Sequence, residues 1–209
     1  MRIFIVPQLE CYFDCSSPWT YLGFHNIQPL AAEMGADITW RPILVGGLFN
    51  TINPSVYHDR EFPVPAKQAH MLKDLQDWAR LAGITISWPM TIFPINSVKA
   101  MRGCIAASHQ GKLVPYAQGV FEAYWGQDRD ITQDAILAEI ATVAGLDPDQ
   151  TATAMASDKI KGELRENTEK LARRGGFGTP TFFVDDDDMY FGNDRMPLID
   201  MALKATLKA

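Results

Sequence analysis

The chain has 209 residues, 47% of them hydrophobic and 21% charged, which is enough apolar material for a sizeable core and argues against disorder. Acidic residues outnumber basic ones 25 to 19, for a formal net charge of −6, and no basic stripe breaks that balance. A nucleic-acid partner is therefore not expected, and no stretch approaches the ~20 apolar residues of a membrane span.

In chain order, the opening run MRIFIVPQ is too short for the core of a signal peptide, so no membrane partner and a cytoplasmic location are expected. Residues 9–13 alternate weakly and predict a strand. From Trp19 to Met34 apolar residues recur near helical spacing, and Gly35 is placed to stop that helix. Residues 38–40, closed by Arg41-Pro42, predict a second strand; strand, helix and strand in this order make a βαβ unit, hence a parallel pair. The Gly-, Asn- and Pro-rich stretch 46–65 reads as a loop. Helical spacing then covers 66–82, 97–110, 114–124, 132–144, 148–156 and 160–174, with Thr132 and Asp147 as N-caps and Gly145 as a stop. After Gly175, two apolar runs, 181–184 and 189–191, flank acidic residues and predict a hairpin with an acidic turn. A last helix is expected over 196–207. This order fits an α/β domain interrupted by a helical insertion.

The stretch CYFDCSSPWTYLGF, residues 11–24, carries the most chemistry. Serine is a favoured N-cap and proline a favoured first helical residue, so Ser17-Pro18 can be no more than a helix start. The same geometry can also hold an anion: unpaired N–H groups and the helix dipole favour negative charge there, and a thiolate is such an anion. Ser17-Pro18-Trp19-Thr20 stands where a thioredoxin-like protein carries Cys-x-x-Cys. Two hydroxyl residues form no disulfide, so this site is suited to holding a thiolate supplied by another molecule.

FDCSSPWTYLGF, WRPILVGGLFN, FPINSVKAMR and FGTPTFFVDDDDMYFGNDR, in that order, resemble the 2-hydroxychromene-2-carboxylate isomerases and kappa-class glutathione transferases along essentially the whole chain. The resemblance implies a DsbA-like α/β fold, a thioredoxin-like domain (residues 1–60 and 172–209) interrupted by an all-helical insertion domain (61–171). It implies glutathione as cofactor, a small aromatic molecule as substrate, and a homodimer. By the same resemblance Ser17 is catalytic, hydrogen-bonding the glutathione sulfur; Thr179, ahead of a cis Pro180, pairs with the cysteinyl part; Asn193 and Asp194 take the γ-glutamyl end; Lys67 and Asn53 reach the ligand. Ser16 stands where an apolar residue is usual and Thr20 where serine is common, while Asn193 favours the isomerase branch. The alternatives are a transferase that releases a conjugate, or a non-redox binding protein on a DsbA-like scaffold.

Other chemistry-bearing residues read more plainly. Cys11, Cys15 and Cys104 are expected as core thiols, with no histidine nearby to suggest zinc. Asp185 to Asp188 lack the pattern of a calcium loop, and no metal is expected. Of four scattered histidines only His70, three residues after Lys67, falls on a helix face of interest. Arg41 and Arg195 can attract a carboxylate or form ordinary ion pairs; Trp88, Phe93, Tyr124 and Trp125 suit an aromatic wall or a core.

Overall fold

The computed structural model describes residues 7–207; the short apolar run at the start of the chain lies outside the described residues. Strand β1 (Gln8–Phe13) pairs in parallel with β2 (Asp37–Pro42) and antiparallel with β3 (Thr181–Val184), which pairs antiparallel with β4 (Asp188–Phe191). The sheet order is β2-β1-β3-β4. Helix α1 (Pro18–Met34) makes the crossover from β1 to β2 and ends at Gly35, whose φ of 62° suits a residue without Cβ.

Alternation along β1 separates two cores. Leu9, Cys11 and Phe13 join the main core with α1 and α10 (Met196–Thr206), while Tyr12 packs with Ile43, Leu48, Leu171 and Phe183 on the other face. The hairpin, its exposed acidic turn and the last helix lie as the sequence predicts.

The expected loop 46–65 instead holds two short helices, α2 (Val45–Thr51) and α3 (Ser55–Glu61). Tertiary anchors override Gly46-Gly47 there: Leu48 is fully buried, and the Val45 amide donates to Asp14 at 2.8 Å. Between β2 and β3 follow α4 (Pro65–Ala82), α5 (Val98–Ser108), α6 (Leu113–Phe121), a π-helical turn (Glu122–Gly126), α7 (Asp134–Val143), α8 (Pro148–Ala156) and α9 (Asp158–Arg173). Asp147 caps α8 through the Gln150 amide, as expected. Thr132 does not cap α7: its amide and hydroxyl donate to Asp130 at 2.9 and 2.6 Å, so it closes a turn ahead of the helix.

Aromatic packing joins the helical layer to the sheet. The Phe24 ring lies 5.3 Å from Phe13, 4.4 Å from Trp40 and 5.2 Å from Phe121, and Tyr21 stacks on Phe121 at 5.1 Å. Pairs of this kind add about 0.5–1.5 kcal/mol each beyond area burial, so this cluster holds α1 between β1 and α6. All three cysteines are buried and free, and burial pushes their thiol pKa values up. Among the described residues no helix is long and apolar enough to cross a membrane, and no group of acidic, His and Cys side chains is arranged to hold a metal ion.

Candidate functional site

The site begins where β1 stops. Phe13 ends the strand, Asp14 to Ser17 turn the chain, and α1 starts at Pro18. Ser17 is an N-cap in extended conformation (φ −109°, ψ 125°); its hydroxyl accepts from the Thr20 amide at 3.2 Å. The capping reading is thus observed, and the half-buried hydroxyl keeps its own proton to donate.

The first turn of α1 is tied to a distant segment. The Thr20 hydroxyl donates to the Thr179 hydroxyl at 2.9 Å, and the Thr179-Pro180 bond is cis. Trp88-Pro89 and Phe93-Pro94 are also cis, which no sequence feature announced. A Cβ on Gly23 would lie 2.7 Å from Cγ of Pro180, so α1 rests on the proline only because residue 23 has no side chain. Neither the Thr179 amide nor its carbonyl bonds another described backbone group, whereas the Pro180 carbonyl accepts from the Gly192 amide at 3.0 Å.

These segments border a cleft of about 590 Å³, lined by Trp19 of α1, Asp74 and Trp78 of α4, Thr179-Pro180, and residues 191–195 after β4. Asn193 is buried; its Oδ1 accepts from Asn26 at 2.8 Å, and its Nδ2 has no partner among the described residues. Asp194, half-exposed, pairs with Arg195 at 2.9 Å.

Of the residues anticipated from sequence, Thr179, Pro180, Asn193 and Asp194 converge on this cleft. Ser17 stands just outside its lining, two residues before Trp19 and one helical turn before Thr20. Lys67 is exposed on α4, on the face that carries Asp74 and Trp78 about two and three turns further along, and does not line the cleft. Asn53 sits between α2 and α3; its Nδ2 donates to the Phe177 carbonyl at 3.4 Å, two residues before Thr179, and it too lies outside the lining.

Trp19, Asp74, Trp78 and Phe191 were not anticipated. For α4 a signal existed: residues 67, 74 and 78 repeat at helical spacing. Arg41 is occupied by Glu10 at 2.8 Å, while Arg195 reaches the cleft. Tyr124 and Trp125 are core residues, Trp88 is half-buried, and Phe93 is exposed. His70 is exposed and is not part of the lining.

A thioredoxin sheet interrupted by helices, with a cis-proline facing the start of α1, defines the class: the chain belongs to the DsbA-like thioredoxin family, whose domain matches residues 8–204. Within that class the chain is similar to the 2-hydroxychromene-2-carboxylate isomerase of Sphingobium xenophagum, 29% identical over 197 residues that cover 93% of this chain and 97% of that one. Human glutathione S-transferase kappa 1 is 27% identical over 206 residues, 91% of this chain and 88% of that one. The solved structure of a 2-hydroxychromene-2-carboxylate isomerase superposes with a TM-score of 0.81 at 26% identity, covering 95% of each chain.

Proposed function

We propose that the protein is a glutathione-dependent isomerase of the 2-hydroxychromene-2-carboxylate type. One observation carries the reading: a hydroxyl residue, Ser17, stands at the start of α1 where a redox protein carries cysteine, beside a cleft formed by cis-Pro180, Asn193 and Asp194. The residues present fit glutathione. The unpartnered Nδ2 of Asn193 can donate to a carboxylate, the Asp194 carboxylate suits an ammonium, and the Thr179 main chain is open to an extended peptide.

When bound, glutathione supplies a thiolate that adds reversibly to a conjugated double bond, allows rotation about it, and leaves unchanged. Ser17 donates a hydrogen bond to the sulfur, and the N-terminus of α1 adds a partial positive charge. Asn193 and Asp194 hold the γ-glutamyl end, and Thr179 orients the cysteinyl part. Lys67 of α4 and Asn53 of the α2–α3 link, which lie outside the cleft lining, belong to the rim of the ligand in this reading, and Trp19 and Trp78 offer flat apolar surface to an aromatic substrate. The thioredoxin-like part is assigned to residues 1–60 and 172–209, and the helical insertion to 61–171. A cytoplasmic homodimer acting in aromatic-compound breakdown belongs to the same reading.

Conjugation of glutathione to an electrophile is the second reading, supported by the similarity to kappa transferases. Calorimetry with glutathione on the wild type and Asp194→Asn, followed by an assay on 2-hydroxychromene-2-carboxylate that also counts free thiol, tests both. Binding weakened by the substitution, with turnover at constant thiol, supports the isomerase. Stoichiometric thiol loss supports the transferase. A wild type that binds no glutathione at millimolar concentration overturns both.

A further inference from the structure

Asp14 lies directly behind the Ser16-Ser17 turn and is 1% exposed. One carboxylate oxygen accepts from the Ser16 amide at 2.9 Å, and the other from the Val45 amide at 2.8 Å, at the start of α2. The Asp14 carbonyl accepts from the Ser17 amide at 3.3 Å.

Two segments distant in sequence therefore meet on one buried carboxylate: the β1–α1 turn and the β2–α2 junction. Burial favours the uncharged acid and outweighs the two amide donors, so the Asp14 carboxyl is held above its ordinary pKa. The neighbouring ionisable groups, Cys15 and Cys104, are buried thiols whose pKa values burial pushes up, so neither supplies a competing charge. The same turn is also held at Cys15, whose amide donates to the Met101 sulfur at 3.3 Å and whose carbonyl accepts from the Trp125 indole N–H at 2.8 Å; Asp14 is the support that reaches Ser16, next to Ser17.

We propose that Asp14 is a positioning residue for Ser17: by clamping the β1–α1 turn to the start of α2, it keeps the Ser17 hydroxyl aimed at the site of the sulfur anion. The inference rests on Ser17 as the donor to that anion. Asp14 touches no reacting atom; it acts through the turn. Loosening a turn of this kind moves a donor by a fraction of an ångström, enough to weaken a bond whose strength depends on distance and angle.

The test reads the ultraviolet thiolate band of glutathione bound at saturation, as a function of pH, in the wild type, Asp14→Asn, Ser17→Ala and Val45→Pro, which removes one amide donor to Asp14 at a first helical position that accepts proline, with the Tm of each. Expected for Asp14→Asn is about tenfold less bound thiolate at a fixed pH below the thiol's midpoint, and a smaller loss in the same direction for Val45→Pro. Lowered Tm with a thiolate titration unchanged from wild type in both variants overturns the inference and leaves Asp14 a support of the fold alone. If Asp14→Asn does not fold, Val45→Pro decides: an unchanged titration overturns the proposal. A titration unchanged in Ser17→Ala itself removes the donor role of Ser17, and the inference falls with it; loss of thiolate in Ser17→Ala but not in the other two overturns only the positioning role.

Discussion

The Thr20 hydroxyl donates to the Thr179 hydroxyl at 2.9 Å, so two residues 159 positions apart share one proton line. Both side chains are buried, Thr20 completely. The bond joins the first turn of α1 to the residue before cis-Pro180, the two halves of the site.

A double-mutant cycle measures that connection. Thr20→Val or Thr179→Val alone leaves a buried hydroxyl without its partner and is expected to cost about 1–3 kcal/mol. The pair of substitutions together should cost less than the sum. Chemical denaturation checks this, and strictly additive losses would contradict the bond.

Gly23→Ala tests the rest of α1 on Pro180. Alanine in a helix interior gains about 1 kcal/mol over glycine, but its Cβ would meet Cγ of Pro180 at 2.7 Å. Overpacking of this kind costs about 1–3 kcal/mol, so a net loss of stability is expected, together with weaker glutathione binding as the proline is displaced. A variant with raised Tm and unchanged binding would show that the proline moves freely.

Ser17→Asp separates the two roles of the cap. Aspartate is as good an N-cap as serine, so Tm should stay close to that of the wild type, whereas Ser17→Ala loses about 1 kcal/mol. A carboxylate cannot donate to a sulfur anion and repels it, so the bound thiolate should disappear. Calorimetry and the thiolate band check both halves; retained thiolate in Ser17→Asp would assign the stabilisation to the helix end alone.

Glu10 sets a pH dependence. Burial pushes its pKa up, but the hydrogen bond and charge of Arg41, with Arg174 and Lys170, outweigh it and hold the carboxyl below its ordinary value of 4.5. A carboxyl with a depressed folded-state pKa stabilises the protein above the unfolded value, and that contribution fades as pH falls through the folded one. Glu10→Gln is therefore expected to lower Tm at neutral pH, with the difference closing below pH 4.5. A difference that persists undiminished in acid would mean that the charge of Glu10 is not what matters.

Much of the architecture was legible because its signals are local. The spacing from Trp19 to Met34, the stop at Gly35, the cap at Asp147 and the two apolar runs around the acidic turn each sit within a few residues of what they specify. The loop expected over 46–65 was misjudged for the opposite reason: α2 exists because Leu48 finds Leu171 and Phe183, and because Asp14 receives the Val45 amide. Glycine and proline content reports local preference, and distant partners overrode it.

The same division runs through the site. Ser17-Pro18 at a helix start, two hydroxyl residues in place of a cysteine pair, and Thr179-Pro180 ahead of an apolar strand are written in the chain, since capping and the lack of a thiol are properties of neighbouring residues. Only folding decided that Asp74 and Trp78 would face Asn193 and Asp194 across one cleft, that Nδ2 of Asn193 would be buried without a partner, and that Arg41 would be taken by Glu10. Those outcomes depend on which faces of α1, α4 and the sheet bury against one another, and packing energy of that kind belongs to pairs of residues far apart along the chain.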